Sequence, residues 1–233
     1  MSKSILFSEN PQIRVAVRKV RNSTRLSLRV SSISERVTLT VPINTKQEVL
    51  LRFLESKETW LKEKLLRISN KKVQVDIGSL IPIFGNKKHL EICSESRDVK
   101  IIGNSIRIPA IVSQPSLAVE KYLKELAKEE FTNAANYYCD KLGVSYSSIR
   151  VRDTRSRWGS CSSNSNLMFS WRLIMAPKNI MRYLVAHEVA HLKHFNHSKS
   201  FWNEVRSIFG PYENESKWLR TKGTNLHYYK FKG

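Results

Sequence analysis

From residue 12 to residue 41 apolar and polar side chains alternate with a period of two, through "IRVAVRKV", "RLSLRV" and "RVTLTVP". Such alternation marks strands with one buried face, and the turn-like "RNSTR" and "SSISE" between the runs predict a small antiparallel sheet. The period then lengthens in "NTKQEVLLRFLESKETWLKEKLLRI". Val49, Phe53, Leu54, Leu61 and Leu65 fall on one helical stripe, and Thr45 and Glu48 have the spacing of a capping box. The stretch "IGSLIPIFGNKKHLEI" returns to short strands around Gly85-Asn86. Together these segments predict a small α+β module over residues 1–112, with "SQPS" at 113–116 as the junction.

A long helix is expected next. Val119, Leu123, Leu126, Phe131, Ala134, Ala135, Tyr138 and Leu142 keep the three-four spacing up to Gly143, the expected stop. "SIRVRD" predicts a strand, and "SRWGSCSSNSNLMFSWRLIM" a hairpin turning through Ser162–Ser165. Pro177 opens a helix through "NIMRYLVAHEVAHLKH", and two shorter helices close the chain, roughly over 198–208 and 213–222. No internal repeat is visible. The fold class is α+β, a β-rich amino-terminal module followed by a second domain over residues 113–233.

Composition adds little to this picture. At 233 residues, with 41% hydrophobic and 26% charged side chains, the chain has ample length to bury a core. No apolar run approaches the ~20 residues that cross a bilayer. The opening "MSKSILFSENPQIRV" lacks the apolar segment of a signal peptide. The expected location is the cytoplasm, with no membrane partner. Cys93, Cys139 and Cys161 are odd in number and widely spaced, which predicts reduced thiols.

Charge changes the picture more. Forty Lys and Arg against twenty Asp and Glu give a net charge of +20, an attraction for polyanions. The surplus is spread along the chain, with local concentrations at Arg14, Arg18, Lys19, Arg21, Arg25 and Arg29 and at Arg150, Arg152, Arg155 and Arg157. The polar neighbours of Val15, Val17, Leu26 and Leu28 must face outward from their strands. This predicts a basic face on the amino-terminal module that binds nucleic acid weakly and without sequence preference. An ordinary solvated surface is the competing reading.

The candidate chemistry sits in "HEVAHLKHFNHSKSFW", residues 187–202, which holds four of the chain's six histidines. His187-Glu188-Val189-Ala190-His191 is HExxH, and two imidazoles four apart on a helix can grip one metal ion. Glu188 is then well placed to take a proton from a water on that metal. Leu184, Val185, Val189, Ala190 and Leu192 leave the helix little polar face, so a metal removes the cost of burying His and Glu unpartnered. A catalytic zinc needs a third protein ligand. His194 lies on the same face but far along the axis, and Glu204, Glu213 and Glu215 are distant candidates. His197 requires the chain to reverse just past His194, which Asn196 tolerates in a left-handed conformation, with Ser198 capping the next helix. His197 is preferred, then Glu213. One Zn2+ per chain is expected.

The spacing of His187, His191 and His197 occurs also in metzincin peptidases, which carry Gly where this chain has His194. With its flanks, "RWGSCSS" at 157–163 followed by "HEVAHLKHFNHSKSFW", the chain more closely resembles the YgjP-like family of zinc-dependent hydrolases, related to SprT-like proteases. That resemblance implies a minimal zincin-like fold, with His187, His191 and His197 as ligands and Glu188 as catalyst. It implies a metallopeptidase acting on peptide or protein. Two rivals remain open at this level: a metal-dependent hydrolase of nucleotides or other phosphate esters, and a nucleic-acid-binding module with structural zinc. Arg157 is a candidate for binding a carboxylate or phosphate of the substrate. Gly159 suggests a tight bend, and Trp158 an anchor against the active-site helix. Phe201 and Trp202 are expected to pack the third-ligand turn. Tyr212 is a candidate oxyanion donor, and Cys161 a candidate inhibitory thiolate.

Overall fold

The structure is a computed structural model that describes residues 3–9 and 12–231. It is α+β, as expected, and divides into two compact units, Met1–Lys72 and Val73–Gly233. The division falls at 72/73 and not at 112/113. The physical reason lies in the second group of strands. Ile81, Ile83, Leu90, Ile106 and Ile108 bury their side chains in one core with Val119, Leu123 and Phe131 of the long helix, so they belong to the carboxy-terminal unit.

The first unit holds strands β1 (Lys3–Glu9), β2 (Gln12–Val20), β3 (Ser27–Val30) and β4 (Val37–Pro42), in the order β1-β2-β4-β3. The sheet is mixed where an antiparallel one was expected, because β2 and β4 run parallel, with Val15 opposite Val37 and Val17 opposite Leu39. The single expected helix is two, α1 (Gln47–Glu55) and α2 (Glu58–Ser69). Their buried stripe is Leu50, Leu54, Leu61 and Ile68, while Val49 is exposed. The capping box is not formed: Lys46 precedes α1 without a side-chain cap, and Thr45 Oγ1 donates instead to the Pro42 carbonyl. Leu50, Leu54 and Leu61 pack on Val15, Leu39 and Val41 and close this unit's core.

The second unit opens with β5 (Val73–Gln74), β6 (Leu80–Ile83), β7 (Asn86–Cys93), β8 (Lys100–Ile102) and β9 (Ser105–Pro109). The expected turn at Gly85-Asn86 joins β6 to β7. Phe84 and Gly85 both have positive φ, the backbone of a tight hairpin. The sheet order β6-β7-β9-β8, with a parallel central pair between antiparallel neighbours, repeats that of the first sheet. The chain therefore does contain a repeat, one of topology that no residue pattern advertises.

Helix α3 (Pro115–Leu142) starts with Pro in its first turn and ends at Gly143, whose φ of 66° is the left-handed stop. Its inner face buries Leu123, Phe131 and Tyr138, and Phe131 stacks on Phe169 at 4.7 Å. A three-stranded sheet follows: β10 (Ser148–Arg152), β11 (Gly159–Cys161) and β12 (Asn166–Ser170), ordered β10-β12-β11. The β11–β12 hairpin is the one expected, and Ser165 takes a positive φ in its turn. A 3-10 turn (Trp171–Met175) leads through Pro177 into α4 (Lys178–Ala190). Helices α5 (Lys199–Phe209) and α6 (Glu213–Lys222), a second 3-10 turn (Gly223–His227) and β13 (Tyr229–Lys230) complete the chain. β13 pairs in parallel with β5, and Phe231 is buried. The three cysteines are unpaired. No described helix is long and apolar enough to cross a membrane.

Candidate metal centre

Helix α4 is buried on nearly every side: Ile180, Met181, Leu184, Val185, Val189 and Ala190 are all core. The helix ends at His191, so His187 and His191 stand on its last turn. The chain then reverses and returns His197 to the pair. One nitrogen from each of His187, His191 and His197 lies within 4.8 Å of the others. His187 Nε2 and His197 Nε2 face each other at 3.2 Å.

The reversal is built differently from the expectation. Among the described residues Asn196 is not left-handed; its Oδ1 accepts from the Ser198 backbone N–H. Ser198 does cap α5, accepting from the Phe201 N–H. Phe201 is fully buried, and its ring contacts all three imidazoles, at 4.9 Å from His187, 4.4 Å from His191 and 4.9 Å from His197. Trp202 stacks on His197, Tyr212 stacks on Trp202, and Tyr183 on Tyr212. Phe201 and Trp202 therefore pack the third-histidine turn as expected. Tyr212 is part of this aromatic stack.

The residues fit a metal ion. His191 Nδ1 lies 2.8 Å from the His194 carbonyl, so it donates there and leaves the Nε2 lone pair free. His194 thus serves through its backbone; its imidazole turns toward Glu204. His187 Nδ1 is buried with no hydrogen-bond partner, so the ring's one polar neighbour is at Nε2, where His197 meets it. Burial holds the His187 pKa down at about 3, with the other two imidazoles adding to the effect, and burial lowers that of His191 too. Three imidazoles converging on one point are a donor set for a divalent metal ion.

Glu188 packs against β11. It is 5% exposed, and burial raises its pKa to about 8, opposed by the charge of Arg157 and by a hydrogen bond from the Cys161 N–H. A Cβ at Gly159 would lie 2.6 Å from Glu188 Oε1. Gly159 is therefore no bend residue. It is a strand residue whose missing side chain makes room for the carboxylate. Trp158 packs against the main core and on the carboxy-terminal turn, where its indole lies 5.1 Å from the ring of His227 and would meet a Cβ at Gly223 at 3.1 Å. Arg157 is exposed. Burial, then the Glu188 charge, pushes the Cys161 thiol up to about 11, and Cys161 stands outside the histidine cluster.

The rival third ligands are engaged elsewhere. Glu213 is bound by Arg206 and accepts from the Tyr212 N–H. Glu204 pairs with Lys193 at 3.5 Å, and Glu215 accepts from Asn179. One buried group had no signal in the sequence. Arg172 forms a bidentate pair with Asp153 and donates to the carbonyls of Leu226 and Tyr229, which ties the carboxy-terminal turn under Trp158.

The family model described as YgjP-like, metallopeptidase domain, matches residues 24–222. No curated protein matches the chain. Among solved structures, the chain is similar to the metallopeptidase zymogen of Pyrococcus abyssi abylysin, at 24% identity and a TM-score of 0.36 over 40% of this chain and 95% of that one. It is also similar to the metallopeptidase zymogen of Methanocaldococcus jannaschii jannalysin, at 23% identity and a TM-score of 0.34 over 40% and 91%.

Proposed function

The chain belongs to the YgjP-like metallopeptidase family, and on that premise we propose that it is a zinc-dependent peptidase with His187, His191 and His197 as the metal ligands and Glu188 as the general base. The observation that carries the reading is the convergence of three imidazole nitrogens beside a buried carboxylate. A bound zinc ion supplies a Lewis acid that lowers the pKa of a water and polarises a carbonyl.

The chain's own residues do the rest. His191 is oriented by its bond to the His194 carbonyl, and Phe201 fixes the spacing of the three rings. Glu188 must be ionised to accept a proton. Burial outweighs Arg157 and the Cys161 N–H and holds its pKa at about 8, and a dication held by the three histidines would favour the carboxylate. The Cys161 N–H also fixes the direction of the carboxylate. Once protonated, Glu188 can deliver that proton to the leaving amine.

Strand β11 favours a peptide over a phosphate ester. It is the edge of its sheet, and it runs directly against Glu188. Trp158 O and Ser162 N bond to β12, so Gly159 and Cys161 direct their peptide groups away from it, the Cys161 N–H to Glu188 and the others to the open edge. An extended chain can pair along such an edge. Arg157, exposed and close enough to Glu188 for its charge to act there, is the residue we assign to a carboxylate of the substrate. The test is an assay of the zinc-loaded protein against a peptide library and a nucleotide panel. Peptide cleavage that is abolished by chelation is expected; nucleotide hydrolysis without peptide cleavage would contradict the reading.

A further inference from the structure

The sheet of the amino-terminal unit has two unlike faces. Ile13, Val15 and Val17 of β2 and Val37, Leu39 and Val41 of β4 are buried under α1 and α2. The other face carries no helix of this unit. Strand register defines its layout. Ala16 is opposite Thr38, Thr38 is opposite Arg29, and Arg18 is opposite Thr40. Arg14 and Arg18 flank Ala16 on the same side of β2 and lie about 13 Å apart at ~3.3 Å per residue. Arg29 stands two strands away, roughly 10 Å from Ala16. All three arginines are exposed, and none has an ion pair among the described residues.

Strands β2, β3 and β4, which carry the three arginines, contain no carboxylate, and the acid of the neighbouring edge strand β1, Glu9, stands opposite Gln12 at one end of the face. Glu48, Glu55, Glu58 and Glu63 are on α1 and α2, which cover the opposite face, and Glu35 is taken by Lys72. The same three strands contain no aromatic residue, so nothing on the face can stack a base. Guanidinium groups set between threonine hydroxyls suit phosphodiester oxygens and read no sequence.

We infer that the bare face of this sheet, through Arg14, Arg18 and Arg29, is a sequence-independent binding surface for the sugar-phosphate backbone of nucleic acid. Arg21 and Arg25 are in the turn that follows β2, outside the strands of the sheet. The inference is independent of the metal centre and of the reaction performed there.

The full-length protein tests it by fluorescence anisotropy with a labelled mixed-sequence single-stranded 20-mer, titrated at several salt concentrations. Binding should weaken linearly on a log–log plot, by about 0.7 in slope per phosphate neutralised. Replacing Arg14, Arg18 and Arg29 together by Gln should flatten the slope by about 2 and weaken low-salt binding at least tenfold, with zinc content and melting temperature unchanged. Thr40→Glu, which sets a carboxylate beside Arg18, should weaken binding by a separate route, and the triple Arg→Lys variant should retain the slope. Three results would overturn the inference. One is salt-insensitive or absent binding by the unaltered chain. A second is a triple Gln variant that binds as before while Arg150→Gln/Arg152→Gln loses binding. The third is tighter binding to phosphatidylserine vesicles than to the oligonucleotide.

Discussion

Gly159 and Glu188 are packed so closely that a single methyl group does not fit between them. The Cβ of an alanine at 159 would lie 2.6 Å from Oε1, 2.8 Å from Cγ and 2.9 Å from Cδ of Glu188. Strand and carboxylate must part if it is added. Gly159→Ala should therefore retain zinc but turn over at least tenfold more slowly, and cost about 1–3 kcal/mol of stability as an overpacked site. Zinc analysis, urea denaturation and peptide cleavage measure the three quantities. Normal turnover in Gly159→Ala would show that Glu188 does not depend on this contact.

Removing the proposed base separates chemistry from metal binding. Glu188→Gln keeps the size and a hydrogen-bonding group but cannot accept the proton. Zinc occupancy should be unchanged and the rate should fall ~10²-fold or more. A variant with near-normal turnover excludes the general-base role.

The Asp153–Arg172 pair should matter to stability out of proportion to its position at the edge of the unit. Arg172 is 9% exposed in its side chain, and Asp153 is 41% exposed. Asp153→Asn leaves a buried guanidinium with only the Leu226 and Tyr229 carbonyls to satisfy it. A loss of about 1–3 kcal/mol in urea denaturation is expected. A change under ~0.5 kcal/mol, the level of an ordinary surface substitution, would show that the clamp does not hold the carboxy-terminal turn.

Acid should loosen that same turn. His227 is buried, and burial together with the Arg172 charge lowers its pKa from 6.5 to about 4. The folded protein thus binds a proton less readily than the unfolded chain. The corresponding stability is fully present above pH 6.5 and is lost as pH falls from 6.5 through about 4. Urea midpoints of the metal-free protein measured across that window should decline, and His227→Gln should decline less. Equal slopes would show that His227 does not report on the buried turn.

Much of the site was legible because it is local. HExxH, the reversal after His194 and the cap at Ser198 all lie within a dozen residues, where helical periodicity fixes geometry. Gly159 was misread because its role depends on which residue of β11 falls opposite Glu188, a register set by tertiary packing. The 72/73 division was missed for a related reason. Strands β6–β9 alternate like those before them, and nothing local says that Ile106 and Ile108 face Val119 and Leu123 instead of α1 and α2. The Asp153–Arg172 clamp joins segments whose sequences carry no mark of each other.

The central claim, one zinc held by His187, His191 and His197, is tested most directly by zinc content per chain in the unaltered protein, His197→Ala and Glu213→Ala, each dialysed against the same weak chelator. The account predicts one zinc per chain in the unaltered protein and in Glu213→Ala, and less than a tenth of that in His197→Ala. Full occupancy in His197→Ala with loss in Glu213→Ala would contradict it.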